Sequence, residues 1–304
     1  MKSSLDGDKV SHAYIFHGPG GVGKKLVAIT FAKALNCRAP GPDRPCGTCV
    51  SCKKIDSSNH PDVSVLQPQK EGSSIGIDSI RALIRDAALK PYEARKKVYI
   101  IDGANSMTEE ASNALLKTFE EPPSDSVIIL VADSLNMLLP TIVSRAQVLK
   151  FFALGIGEVK EILTKQYDID GTRAHILAHL SSGRLGESLR YNDKDFFEMR
   201  SRLIDTFTDK TFFDSDFDRL SRQELKTVLG IMLAWYRDIL VAKAGCTEEP
   251  EMINIDRREA ILSESQKTGF DKLNNIIKQI ISTGSYLEQN ANPKIAIAAL
   301  ALAL

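Results

Sequence analysis

The run GPGGVGKK at residues 18–25 constrains what this chain can fold into more than any other stretch. It follows an apolar segment, AYIFHG (13–18), and precedes KLVAITFAKALN (25–36), whose apolar spacing predicts a helix. Strand, glycine-rich turn and helix in that order make a phosphate-cradling loop. Gly18, Gly20, Gly21 and Gly23, with Pro19 and Val22 between them, let backbone N–H groups point inward, and the helix turns its positive end toward an anion. Lys24 stands where the loop's lysine reaches the terminal phosphates. The next position ordinarily carries Ser or Thr, whose hydroxyl holds magnesium. Here it is Lys25, so the pattern predicts the architecture of a nucleotide loop without its metal-binding hydroxyl.

A loop of this kind needs a parallel sheet behind it. DVSVLQ (62–67), KVYIID (97–102), SVIILVA (126–132) and QVLKFF (147–152) read as further strands, several of them apolar throughout, as strands covered on both faces are. Helices are predicted over 77–89 and 108–120. The expected fold class is α/β, a doubly wound parallel sheet with the glycine loop at the carboxyl end of its first strand, where such sheets bind ligands. After residue 152 the strand pattern stops. Residues 153–192 read as short helices broken by Gly155, Gly157, Gly171 and Gly183, and residues 193–304 as helix throughout. LKTVLGIMLAWYRDILVAKAG (225–245) and FDKLNNIIKQIISTGSYLEQ (270–289) are the longest amphipathic runs. The predicted domains are therefore 1–152, 153–192 and 193–304.

Two further groups of residues carry chemistry. KVYIIDGAN ends a strand in Asp102, where a carboxylate would help hold magnesium. The adjacent position, which in many hydrolases of this kind is a glutamate that polarises the attacking water, is Gly103. Cys37, Cys46, Cys49 and Cys52 give the spacing C-x8-C-x2-C-x2-C, which suits a tetrahedral zinc held by four thiolates, with the turn-forming RAPGPDRP folding the segment back on the ion. Cys246, far from these four, reads as ordinary packing.

Composition excludes several classes. Lys plus Arg and Asp plus Glu number 39 each, so the whole molecule offers no basic field to nucleic acid. No apolar run reaches the roughly 18 residues of a membrane span, and the start lacks the pattern of a signal peptide. The apolar tail IAIAALALAL reads as a buried helix or one at a subunit contact. Cysteines grouped as metal ligands rather than disulfides indicate a cytoplasmic protein.

Several longer strings extend these readings: SHAYIFHGPGGVGKK (11–25), the cysteine module just after the loop helix, MTEEASNALLKTFEEPP (107–123), LLPTIVSRAQ (138–147) and NANPKIAIAALAL (290–302). Together they resemble the clamp-loader branch of the AAA+ proteins, as found among the subunits of bacterial DNA polymerase III. The likeness covers most of the chain and is thinnest over 195–225. It implies an AAA+ nucleotide-fold domain with an inserted zinc module at 37–52, a small helical lid domain and an all-α collar. Arg145 matches the arginine of the family's Ser-Arg-Cys element, with Ala146 in place of the cysteine. In the family that arginine projects into a neighbouring subunit's ATP site. In SGRLGESLR (182–190), Gly186 or Glu187 falls where hydrolysing relatives carry a second arginine, and Arg184 is out of register. Only ten residues precede SHAY, where relatives carry a longer segment that helps enclose adenine.

The resemblance and the departures together imply a largely ATPase-inactive subunit of a DNA polymerase holoenzyme, a nucleotidyltransferase assembly active in DNA replication. Its zinc would be structural, and ATP or ADP would bind weakly or not at all at Gly18–Lys25 and Asp102. Its partners would be the other clamp-loader subunits and, through the complex, the sliding clamp and primer–template DNA, with no membrane. Two alternatives stay open at this point: a motor subunit with an unusual loop, and a stand-alone zinc protein binding nucleic acid. Positions 25, 103 and 186–187 argue against the first. Zero net charge and the lack of an aromatic–basic patch around the cysteines argue against the second.

Overall fold

Five parallel strands form one sheet in the order β2-β3-β4-β1-β5. They are β1 (Ala13–His17), β2 (Val63–Leu66), β3 (Lys97–Asp102), β4 (Ser126–Ala132) and β5 (Gln147–Lys150). The computed structural model describes residues 10–39, 44–70, 72–209, 220–246, 248, 251–289 and 291–301. The remaining residues, including the start of the chain and the end of its apolar tail, lie outside the described residues, and the expectation about an adenine-enclosing N-terminal segment falls there. The chain divides into two compact units, 1–153 and 154–304.

The sheet's two faces bury different residues because side chains alternate along each strand. On one face Ala13, Ile15, Tyr99, Ile101, Ile128 and Leu130 pack against α3 (Ile77–Ala87) and α4 (Glu109–Glu120). On the other, Tyr14, Phe16, Val98, Ile100, Val127 and Ile129 meet Ala28, Phe31, Ala32 and Leu35 of α1 (Lys24–Asn36). Each large apolar side chain so covered contributes about 1.5–3 kcal/mol relative to exposure. Continuous apolar runs are therefore what these strands require, and all seven residues of β4 are buried. Thr108 caps α4 by accepting the Ala111 N–H (3.2 Å), and Glu109 and Glu110 complement the helix dipole in the first turn. The short α2 (Val50–Asp56) and α5 (Pro140–Val143) complete this unit.

The second unit is helical: α6 (Ile156–Tyr167), α7 (Gly171–Leu180), α8 (Leu185–Tyr191), α9 (Lys194–Asp209), α10 (Arg222–Lys243), α11 (Arg258–Lys267), α12 (Phe270–Glu288) and α13 (Pro293–Ala301). Two of the four glycines expected to break helices do not. Gly157 lies within α6 and Gly171 opens α7. Both sit in first turns, where caps bear the cost: Glu158 accepts the Gly155 N–H (2.7 Å), and Asp170 accepts the Thr172 and Arg173 N–H groups (2.9 and 3.1 Å). Cys246 is exposed beyond the end of α10, which corrects its reading as a packing residue. Among the described residues no helix is long and apolar enough to cross a membrane.

The helical core around Trp235 and Met232 encloses a polar knot. Asp238, fully buried on α10, accepts the Ile253 N–H (3.0 Å), the Asn254 N–H (2.7 Å) and the Asn254 side-chain amide (2.7 Å). Arg200, buried on α9, donates to Asn254 Oδ1 (2.6 Å) and, through both terminal nitrogens, to the Asp256 carboxylate (2.8 Å each). The segment after α10 is thus tied to both helices. Asp238→Ala would strand the buried donors of Ile253 and Asn254. It should destabilise the helical unit by about 3 kcal/mol, read from chemical denaturation of the full chain.

Candidate functional site

The glycine loop leaves the carboxyl end of β1, which lies between β4 and β5 in the sheet, at the crevice where the strand order reverses. Gly18 cannot be replaced there. Its φ is +148°, and a Cβ would sit 2.2 Å from the Phe151 carbonyl oxygen. Lys24, 6% exposed, turns into the loop. Its Nζ donates to the Gly18 carbonyl, to the Pro19 carbonyl (2.7 Å) and to Asp133 Oδ1 (3.0 Å). Lys25 turns the other way, donating to Gln67 Oε1 (2.8 Å) and lying 3.0 Å from Asp102 Oδ2. The two pairs are partly open to water, and such pairs add about 0–1 kcal/mol, so their weight lies in placement rather than stability. Gly20, Gly21, Val22 and Gly23 complete the loop and remain at or near the surface.

Asp133 and Gln67 were not singled out in the sequence. Asp133 follows β4 directly, and Gln67 follows β2. The available signal was that parallel strands bring their carboxyl ends together, so a polar residue just past any strand becomes a neighbour of the loop.

Gly103 follows Asp102 with φ +81° and donates its N–H to the Val131 carbonyl (3.1 Å). A Cβ would meet Pro68 Cδ at 3.4 Å. A side chain in this left-handed conformation costs about 1–2 kcal/mol. A glutamate at this position would be strained in the present backbone conformation, with ordinary contact to Pro68.

Arg145 lies in the turn between α5 and β5. It is half-exposed, pairs with Glu120 Oε1 at the end of α4 (2.8 Å) and donates to the Thr141 carbonyl (3.0 Å) and Ser144 Oγ (3.3 Å). Ala146 packs on the sheet core beside it. In the helical unit, the Arg184 Nε donates to the Ser181 carbonyl (2.8 Å), Gly186 lies in α8, and Glu187 pairs with Arg190.

The cysteine module is the clearest ligand site. The sulfurs of Cys37, Cys46, Cys49 and Cys52 lie within 4.8 Å of one another, and no other such cluster occurs among the described residues. Four thiolates on one ion at about 2.3 Å would stand about 3.8 Å apart, so the set fits a tetrahedral centre with little adjustment. Backbone donors prepare the charge. The Cys49 N–H points at Cys46 Sγ (3.3 Å), the Thr48 hydroxyl at the same sulfur (3.6 Å), and the Cys46 N–H at Cys37 Sγ (3.4 Å). Donors from residues 48 and 49 bring the Cys46 thiol down to about 6, while burial and then the neighbouring Cys49 thiol push Cys52 up to about 12. Four thiolates so close would repel one another unless a cation stood between them.

The module meets a loop at residues 92–94 that is anchored beside β2. Asp62 accepts the N–H groups of Tyr92, Glu93 and Ala94, each at 2.8 Å. Burial would raise its carboxyl, but these three donors outweigh burial and hold it below the ordinary carboxylate range. Arg38 donates to the Glu93 carbonyl (3.3 Å), and Lys54 to Glu93 Oε1 (2.6 Å). Tyr92, 86% exposed, thus belongs to a loop that basic residues of the module hold.

A parallel α/β unit with a strand–glycine loop–helix, an acid at the end of β3 and four cysteines placed to bind a metal ion defines a nucleotide-fold protein. The family described as "DNA polymerase III, delta subunit" matches residues 1–154, and its C-terminal part, "DNA polymerase III, delta subunit, C terminal", matches residues 194–304. A DNA polymerase III subunit delta' from Bacillus subtilis is 32% identical over 96% of this chain and 90% of its own. A Bacillus subtilis DNA polymerase III subunit tau is 34% identical over 64% of this chain and 35% of its own. The crystal structure of a DNA polymerase III gamma subunit-related protein from Thermotoga maritima aligns with a TM-score of 0.44 at 19% identity, over 99% of this chain and 96% of that one. The chain belongs to the delta-prime family of DNA polymerase III subunits, a clamp-loader family.

Cys49→Ser should lower the metal content of the purified chain and loosen 37–56 while leaving the sheet intact, because the module is an excursion between α1 and β2. Elemental analysis with circular dichroism checks this. Four freely titrating thiols and no metal in the wild-type chain would contradict it.

Proposed function

We propose that this chain is a non-hydrolysing partner within a clamp-loader assembly of the AAA+ class, serving DNA replication in the cytoplasm. The observation that carries the reading is Gly103. Glycine has no side chain to polarise water for attack, and the φ of +81° would strain any other residue there. ATP bound on sister subunits would power opening of the sliding clamp and its loading on primer–template DNA. The likeness to delta' and tau subunits of DNA polymerase III supports partnership with chains of those kinds. In this reading residues 153–192 act as a lid domain and 193–304 as a collar that holds the ring of subunits together. Cys37, Cys46, Cys49 and Cys52 hold a structural zinc, whose chemistry is to neutralise the thiolates and close the module.

Arg145 is the group this chain would lend to a neighbour. A guanidinium is always charged and spreads its donors in a planar fork that matches phosphate oxygens. Its pairing with Glu120 and the Thr141 carbonyl sets the side chain on the surface of the sheet unit without burying it.

The isolated chain should hydrolyse ATP at background rate with magnesium and DNA present, and turnover that vanishes on Lys24→Ala would overturn the reading. In a reconstituted assembly, Arg145→Ala should leave incorporation unchanged and lower DNA-stimulated ATPase. An arginine of this type is worth about 10³–10⁵-fold at a single site, and the fall in total rate should be smaller because other sites draw on other chains. Arg145→Lys should rescue poorly. Equal ATPase and loading rates, with assembly confirmed, would leave the subunit a purely structural role.

A further inference from the structure

The magnesium that a loop of this type ordinarily carries does not fit the residues present. Its protein ligands would be a hydroxyl at position 25 and the carboxylate of Asp102. Position 25 offers an ammonium, which has donors and no lone pair. That ammonium lies 3.0 Å from Asp102 Oδ2 and 2.8 Å from Gln67 Oε1, so the carboxylate that should face a metal already faces a cation. A divalent ion at the same place would stand against the Lys25 charge and compete with it for one carboxylate.

The neighbouring lysine does not share the task. Lys24 is committed to the Gly18 and Pro19 carbonyls and to Asp133, on the other side of the loop. Consecutive residues at the start of α1 point about a third of a turn apart, which sends one amine into the loop and the other toward β3. Asp102 and Asp133 are thus each matched by one lysine.

We propose that Lys25 is the resident cation of this loop, and that its ammonium, seated on Asp102, keeps divalent metal out of the nucleotide site. The proposal rests on the non-hydrolysing reading and deepens it. Gly103 removes the activation of water, whereas Lys25 removes the metal, and the two defects are separable.

Manganese is the probe, since it substitutes for magnesium on oxygen ligands and reports its own binding through water-proton relaxation. The four soft thiolates of the cysteine module are poor competitors for it. The full wild-type chain with ADP should show no relaxation enhancement beyond that of manganese with ADP alone, and Asp102→Asn should change nothing. Lys25→Thr should create a manganese site in the presence of ADP, and the Lys25→Thr, Asp102→Asn double variant should lose it again. Circular dichroism confirms the fold of each variant. A wild-type chain that retains manganese with ADP, and loses it on Asp102→Asn, would overturn the proposal without reference to any position-25 variant. A folded Lys25→Thr chain that gains no manganese would overturn it equally. ATP turnover by the isolated wild-type chain would instead count against the non-hydrolysing reading, so the two failures are distinguishable.

Discussion

Three strands, β1, β3 and β4, have both faces covered by helices, so their backbone groups must be paired within the sheet and their side chains must be apolar. That requirement sets the parallel register, Ala13 opposite Ile128 and Tyr99 opposite Ile128 from the other side. The register in turn brings the carboxyl ends of the strands to one edge. Asp102, Asp133 and the glycine loop meet because the strands that carry them end together. The polar residues of the site are the first positions beyond the buried core.

At that edge the charged side chains of the loop meet partners within the chain. Lys24 satisfies loop carbonyls and Asp133, Lys25 sits on Asp102, and Gly103 turns the backbone through a left-handed conformation beside Pro68. Each change is small in free energy, since exposed ion pairs and single backbone turns contribute about 1–2 kcal/mol at most. Their effect is chemical. Position 25 offers an ammonium and position 103 no side chain, while the loop keeps its turn with Gly18 buried and Gly20, Gly21 and Gly23 at or near the surface.

The cysteine module follows a different logic. Its residues Arg38 and Lys54 meet Glu93, in a loop whose backbone at 92–94 is anchored by Asp62 just before β2. Four sulfurs within 4.8 Å of one another are placed to bind a metal ion.

The sequence by itself determined the elements whose identity depends on local pattern. The strands, the loop between β1 and α1 and the cysteine spacing were legible because burial on two faces, glycine turns and tetrahedral ligation each demand particular residues at particular intervals. The absences at 25 and 103 were legible for the same reason. What only the tertiary structure decided are the partners that the chain brings from elsewhere: Asp133 for Lys24, Asp102 and Gln67 for Lys25, Glu120 for Arg145, Asp62 for the loop at Tyr92. Glycines in first turns were misread as breaks because caps from other residues offset their cost. A side chain's residue type states which partners it can take, but which one it meets depends on how strands and helices far apart in sequence are stacked, and that is set by the packing of the whole core.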